Sequence, residues 1–331
     1  MQEKSVITRT VEAAGGVFAP GRIGELTQVV DFALVDAVVE ESRAVQQRVR
    51  LLPARVVVYF VLALALFEDC SYRAVWGKLT GALGGLGLAC PHSSSLLRAR
   101  RRLGAGPLKA LFEAVSGPVA WRDAPGAYWS GMRTVAFDGT GLQLPDRDPV
   151  TARFPKRRGE EREFGYPLLR LVTLVETGTR AVLAAAFGTE AVGELVYATR
   201  LLDRLDAWML VLADAGFDAI AFLRDVSATG ANFLVRSSAA RRPLIQRRLA
   251  DGSYLARLSA PYRAGHGYQH LTVRVIEAWI TVTLADGTVR REPWRLVTSL
   301  LDHKHHPADR LVTLYHERWQ AETCYASVKA T

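Results

Sequence analysis

The chain has 331 residues, 49% of them hydrophobic, and a formal net charge of +9, so it is long enough for more than one domain and a sizeable core. The positive balance favours a polyanionic partner without saying which one. Its three cysteines, Cys70, Cys90 and Cys324, are too few and too scattered for a disulfide framework or a C-x-x-C metal site, which suits a reducing cytoplasm.

The start is polar, with no secretory signal. The longest apolar run, 56–67, is bounded by Arg55 and Glu68 and falls short of the roughly 20 residues a membrane span needs, so it reads as a buried helix and no membrane partner is expected. Helical periodicity predicts helices at about 25–49, 53–67, 71–80, 93–103 and 107–116, and the Gly-rich patch 81–87 reads as a loop. The third to fourth of these suggest a helix-turn-helix, with serines at 93–95 to cap the second helix and Gly104 to end it. Arg98, Arg100, Arg101 and Arg102 cannot share one face of that helix. Some must point into solvent or into a DNA groove.

A Pro/Gly linker near 123–127 leads into a second region with a different pattern. Strands are predicted at about 133–138, 168–176, 180–187, 209–214 and 231–236, helices at about 191–205 and 217–228, and a polar excursion between 145 and 165. This order supports an α/β class. Two of the strand runs end in an acid followed closely by glycine, at Asp138-Gly139 and Asp214-Ala215-Gly216. Such acids face the crevice where α/β sheets place ligands, although a turn or capping role explains either one alone.

From 237 to 291 the pattern shifts to short alternating runs punctuated by Asp251-Gly252 and Asp286-Gly287, which predicts a β-rich insertion rather than more sheet of the core. A strand at 294–300 resumes the core, and Asp309 is expected to cap the last helix. His303, His305 and His306 precede that helix without ligand-spaced partners and read as a solvated loop. On the helix, Tyr315, Arg318, Glu322 and Lys329 fall within roughly a 60° sector at about 100° per residue. A solvated face with an Arg318–Glu322 ion pair would account for these charges alone.

Taken together, Asp138-Gly139-Thr140, the run Leu212 to Phe217, and Tyr315-x2-Arg318-x3-Glu322-x6-Lys329 resemble the DDE transposases of bacterial insertion sequences, specifically the insertion sequence 4 family. The resemblance implies an all-α amino-terminal DNA-binding domain over 1–125 and a ribonuclease H-like catalytic domain over 126–331, interrupted by the β-rich insertion at 237–291. It implies a transposase that cleaves and transfers DNA strands after binding terminal inverted repeats, working in the bacterial cytoplasm at the nucleoid, as a homodimer on element ends and target DNA. Asp138, Asp214 and Glu322 would be catalytic and would hold two Mg²⁺ or Mn²⁺ ions, because hard cations want carboxylate oxygens.

Tyr315, Arg318 and Lys329 would grip phosphates near the cut, and Arg98, Arg101 and Arg102 would contact DNA from the amino-terminal domain. Arg241, Arg242, Arg247, Arg248, Arg290 and Arg291 of the insertion would supply further phosphate contacts. Trp279 or Trp294 would stack on an unstacked base, although a strand tryptophan is more often core. Relatives continue with further helices where this sequence stops two residues after Lys329, so a carboxyl-terminally truncated form is expected. That leaves an active metal-dependent transposase beside a catalytically impaired DNA-binding remnant that competes for element ends. An unrelated nuclease with the same core would not need the Tyr-Arg-Glu-Lys spacing.

Overall fold

A computed structural model describes residues 23–318 apart from 47, 49, 87, 123, 160–162, 239, 262–267 and 284–288. The chain divides into two compact units, with the boundary between Val115 and Ser116. The first unit is helical: α1 (Ile23–Val29), α2 (Phe32–Glu41), α3 (Ala54–Leu66), α4 (Tyr72–Thr80), α5 (Ser93–Leu103) and α6 (Gly106–Val115). The single helix expected over 25–49 is therefore two. The break falls at Asp31, whose Oδ1 accepts the Leu34 N–H at 2.7 Å, because an aspartate satisfies a new helix start better than it continues an old one.

The apolar run forms the buried α3, with Val57, Val58, Phe60 and Ala63 in the core and the Tyr59 hydroxyl donating to the Val30 carbonyl at 2.6 Å. Gly81–Leu86 is a 3₁₀ helix rather than an open loop. His92, not a serine, caps α5, since its Nδ1 accepts the Ser94 N–H at 3.3 Å. Leu96, Ala99 and Leu103 form the buried stripe of α5, and Gly104, at φ +73°, ends it as expected.

The second unit is built on a large mixed sheet, flanked by helices, with ten strands among the described residues. After β1 (Tyr128–Trp129) come β2 (Met132–Gln143), the short α7 (Asp148–Thr151), a hairpin of β3 (Arg157–Arg158) and β4 (Glu163–Phe164), β5 (Leu168–Glu176) and β6 (Val182–Thr189). Helix α8 (Glu194–Thr199), β7 (Met209–Ala213), α9 (Ile220–Ala228) and β8 (Asn232–Arg236) follow. Then come β9 (Leu244–Arg248), β10 (Tyr254–Pro261), β11 (Tyr268–Thr283), β12 (Val289–Thr298) and α10 (Ala308–Glu317). The strand order is β6-β5-β2-β7-β8-β12-β11-β10-β9, with β2, β7 and β8 parallel and the remaining pairs antiparallel.

Two expectations are corrected here. The strand carrying Asp138 does not end there: its ladder with β5 runs on from Asp138↔Thr173 to Gln143↔Leu168, so the glycines that suggest a turn lie in extended backbone. The strands of 244–298 do not stand apart from the core sheet, because β12 pairs with β8 at Leu296↔Arg236, Val297↔Val235 and Thr298↔Leu234. Hairpin-like turns reveal that strands pair locally but not which outer strand they join. Helices expected over 191–205 and 217–228 are shorter, each flanked by a 3₁₀ turn.

The sheet has two packed faces. Val135, Phe137 and Val211 pack with Tyr197 and Ala198 of α8 and with Phe222 and Leu223 of α9. On the other face, Ala136, Leu210 and Leu212 pack with Leu311, Leu314 and Tyr315 of α10. The turn from β5 to β6 needs Gly178, which has φ +81° and where a Cβ would stand 2.7 Å from the Ala127 nitrogen. Gly178→Ala is expected to lower unfolding stability by about 1–3 kcal/mol, read by urea denaturation, since strain and overlap with fixed backbone act together. An unchanged midpoint would show that the 124–127 segment yields freely.

Candidate active site

Parallel pairing relates the two aspartates. Ala136 on β2 stands opposite Leu212 on β7, and two residues further on from each come Asp138, within β2, and Asp214, just past the end of β7. Adjacent strands lie about 4.8 Å apart, so both aspartates fall near the same end of the parallel pair. Each is oriented by backbone: Asp138 Oδ1 accepts the Gly139 N–H at 2.9 Å, and Asp214 Oδ1 accepts the Gly216 N–H at 2.7 Å while capping the 3₁₀ turn Ala215–Phe217.

Helix α10 is tied to this point. The Tyr315 hydroxyl donates to the Ala213 carbonyl at 3.1 Å, directly before Asp214, and Tyr315 is only 2% exposed. Burial pushes the Tyr315 hydroxyl up to about 12, opposed by nearby Arg318 and reinforced by Asp214. The Tyr315 hydroxyl is thus turned inward, where it ties the helix to the backbone beside Asp214. Arg318 caps the end of α10, buried at 6% exposure, with its guanidinium 5.7 Å from the Tyr315 ring centre. Glu322 and Lys329 lie outside the described residues.

Helix α10 starts at Pro307, which makes no side-chain cap, and Asp309 sits in its first turn. The cap expected from Asp309 comes instead from Asp251, whose Oδ2 accepts the Ala308 N–H at 3.2 Å. The His cluster is not wholly solvated either: His306 is half-buried, with its ring 5.2 Å from that of Trp129.

Sequence reasoning missed Glu194. It is the first residue of α8, where an acid reads as an ordinary partner of the helix dipole. Burial raises its carboxyl above the ordinary range, as do Asp214 and Asp138, while Arg170 opposes them. The signal that might have found it is the glycine after Asp138, since a glycine in a strand interior often marks a close approach.

Two clefts border the aspartates. One, of about 470 Å³, is lined by Ala215, Arg236, Glu277, Trp279, Trp294 and Arg295. Here the two candidate tryptophans part: Trp279 is 69% exposed, whereas Trp294 is 5% exposed and packs edge-on to Tyr315 at 5.4 Å. The other cleft, of about 410 Å³, is lined by Gly139, Thr140, Arg157, Arg170, Glu190 and Glu194. The buried Thr140 hydroxyl finds no hydrogen-bond partner among the described residues.

The other basic residues are placed unevenly. Arg241 is half-buried and held by Asp218 at 2.8 Å, so it is no ready phosphate contact, whereas Arg242, Arg247, Arg248 and Arg291 are exposed. The side chain of Arg290 lies outside the described residues. In the amino-terminal unit Arg98, Arg101 and Arg102 are all exposed on α5, although Arg102 donates to the Leu52 carbonyl at 3.2 Å and Arg98 reaches Ser95 Oγ at 3.4 Å.

Among the described residues no three His, Cys, Asp or Glu side chains converge closely enough to hold a metal ion. The donor chemistry nonetheless suits a hard divalent cation: Asp138 and Asp214 both offer carboxylate oxygens near the same end of the parallel strands, and their negative charge is felt by Glu194.

Comparison with known proteins gives a consistent answer over most of the chain. Residues 20–113 match the family described as insertion element 4 transposase N-terminal, and residues 129–331 match the transposase DDE domain, a range that contains Asp138, Asp214 and Glu322. The chain is 27% identical over 312 residues to the transposase InsG for insertion sequence element IS4 of Escherichia coli strain K12, covering 92% of this chain and 68% of that protein. It is 25% identical over 186 residues to the protein InsZ of the same organism, covering 56% of this chain and 61% of that one.

Proposed function

The chain belongs to the DDE-domain transposases with an insertion-element-4 amino-terminal region, and from that membership we propose that Asp138, Asp214 and Glu322 form its strand-cleaving centre in a ribonuclease H-like core. The observation that supports the proposal is that Asp138 and Asp214 each lie two residues beyond the paired Ala136 and Leu212 of adjacent parallel strands, with the motif helix tied to Ala213 by Tyr315. Family membership makes DNA the substrate and divalent-metal dependence the expectation.

In the proposed reaction, water attacks a phosphodiester and the P–O3′ bond breaks, and the freed 3′ hydroxyl then attacks a target phosphodiester, forming a new O–P bond as the target's own P–O3′ bond breaks and leaves a 3′ hydroxyl. Two Mg²⁺ or Mn²⁺ ions bound at the carboxylates would supply Lewis acidity to the attacking and leaving oxygens. The residues hold the geometry: backbone N–H groups at 139 and 216 fix one oxygen of each aspartate and leave carboxylate lone pairs for ligation. Arg318 and Lys329 serve phosphates near the cut, and Arg98, Arg101 and Arg102 serve the terminal inverted repeat. Residues 1–125 act in end recognition and 126–331 in catalysis, as a homodimer on paired ends in the bacterial cytoplasm. The test is strand cleavage of a duplex carrying the element's terminal repeat, with Mg²⁺, Mn²⁺ or chelator. Metal-dependent nicking lost in Glu322→Gln supports the reading, and nicking unaffected by chelator or by that variant overturns it.

Trp279 stands in the cleft that begins at Ala215, next to Asp214, and its exposure suits stacking on an unpaired base. Trp279→Ala is expected to weaken engagement of a cleaved end by about 1–3 kcal/mol without lowering the melting temperature, because base stacking is lost and little core is disturbed. A 2-aminopurine placed near the end would report this: unchanged fluorescence on binding the variant would remove Trp279 from that role.

A further inference from the structure

The ladder of the sheet does not by itself fix the cleft beside Asp214. Strand β12 pairs with β8 at Leu296, Val297 and Thr298, whereas Trp279 of β11 stands opposite Pro293, further out than that pairing reaches. On this side of β12 the segment 237–241, which directly follows β8, takes over. The Ser237 N–H donates to the Arg295 carbonyl at 2.7 Å, and Arg295 Nη1 donates back to the Arg241 carbonyl at 2.9 Å. Arg295 Nε also donates to Glu277 at 2.9 Å, which reaches β11 two residues before Trp279. Whatever holds segment 237–241 therefore sets where the outer parts of β11 and β12 stand.

Asp218 holds it. Asp214 begins the 3₁₀ turn Ala215–Phe217 and Asp218 ends it. The Asp218 side chain is 2% exposed, and its Oδ2 accepts from three donors of the segment: Ser237 Oγ at 2.7 Å, the Ser238 N–H at 3.2 Å and Arg241 Nε at 2.8 Å. Oδ1 has no hydrogen-bond partner among the described residues, so the carboxylate is oriented by this segment. Arg241 Nη2 also donates to the Asp218 carbonyl, and a planar guanidinium that spans two acceptors resists rotation as well as separation.

A buried ion pair is weak evidence for stability, because desolvation offsets its attraction, and its better-attested use is to fix one arrangement among several. The cleft of about 470 Å³ shows which arrangement is fixed here. Ala215 of the Asp214 turn, Ser237 and Ser238 of the clamped segment, and Glu277, Trp279 and Arg295 of the outer strands line it together. We infer that Asp218 is a positioning residue of the strand-cleaving centre: through Arg241 and Arg295 it sets where Trp279 stands relative to Asp214, and with it which phosphodiester of a bound DNA end is presented for cleavage. The inference rests on the reading of Asp214 as catalytic and of Trp279 as a contact to the end.

The test maps, at single-nucleotide resolution, where the full chain cuts a labelled duplex carrying the element's terminal repeat, with gel retardation for end binding and thermal melting for stability. Asp218→Asn and Arg241→Gln are each expected to bind ends like the parent, to cut the parent's bond on the order of a hundredfold more slowly, as a misplacement of about 1 Å does, and to add cuts at neighbouring bonds. The double variant leaves no lone charge and is expected to regain melting temperature without regaining cleavage or the single cut position. Cuts confined to the parent's bond, or cleavage that returns with stability in the double variant, mark a merely structural pair and overturn the inference. Should a single variant fail to fold, Arg241→Lys keeps the charge but cannot span both acceptors, and parental cutting there also overturns it. Asp214→Asn separates this role from the reading beneath it. If Asp214→Asn cuts like the parent, or the parent chain cuts nowhere, the reading of Asp214 fails and takes the inference with it. Cleavage lost in Asp214→Asn beside parental cutting in the Asp218 and Arg241 variants overturns the positioning role alone.

Discussion

Asparagine at position 138 or 214 is expected to reduce strand cleavage on the order of a thousandfold or more, about 4 kcal/mol of transition-state stabilisation, while binding of the element's ends changes little. The amide keeps the shape of the acid and one carbonyl-type oxygen, so the hydrogen bonds from Gly139 N–H and Gly216 N–H survive and the strand ends stay in place. What is lost is the negative charge that a hard cation requires. End binding should persist because it draws on phosphate contacts from basic residues elsewhere, and removing a negative charge near the DNA cannot weaken it electrostatically. Cleavage and gel-retardation assays on the same preparation read the two effects separately. Loss of binding in both variants would point to a structural role, and cleavage near the parent rate would remove the pair from catalysis.

Much of this site was readable along the chain because its parts are local. An apolar run closing in an acid with a nearby glycine picked out both aspartates, even though β2 continues through Asp138 to Gln143. Their placement near one end of the parallel pair depends on the pairing of Ala136 with Leu212, a long-range register that no local pattern encodes. Glu194 escaped for the same reason: its carboxylate occupies the space beside Gly139, more than fifty positions earlier, a contact that no local pattern encodes. Trp279 and Trp294 show how register separates residues that look alike. Trp294 stands opposite Ala278 and shares a face with the core residues Ile276 and Leu296, whereas Trp279 stands opposite Pro293 on the other face. Tyr315 carries a motif position, yet its hydroxyl is spent on the backbone carbonyl beside Asp214, a use that helical spacing alone could not distinguish from a phosphate contact.

Leucine in place of Arg274, far from the carboxylates in sequence, is expected to cost about 3–5 kcal/mol of unfolding stability and to depress cleavage with it. Arg274 on β11 is completely buried. Its Nε donates to Ser253 Oγ at 2.8 Å, one Nη donates to the His306 carbonyl at 2.6 Å, and the other pairs with the Asp251 carboxylate. Asp251 in turn accepts the Ala308 N–H, so one ion pair, its arginine buried and its aspartate partly exposed, joins β11, the 299–307 segment and the first turn of α10. Removing the cation leaves Asp251 with a charge it can no longer share and frees the start of the helix that places Tyr315 and Arg318 beside Asp214.

Burial pushes Asp251 up, but the Ser253 hydroxyl, Arg274 and the Ser253 and Ala308 N–H groups hold it below its ordinary value. A carboxyl lowered in the folded state contributes stability that is fully present above the ordinary carboxylate range and is lost as pH falls through the lowered value. Urea denaturation at neutral and acid pH should therefore show the parent and Arg274→Leu curves converging toward low pH. In the double variant with Asp251→Asn, part of the loss should return, because no lone charge remains to be buried. A loss below about 1 kcal/mol in Arg274→Leu at neutral pH would mean that water reaches Asp251 without disturbing the helix, and the link from this ion pair to the site would fall.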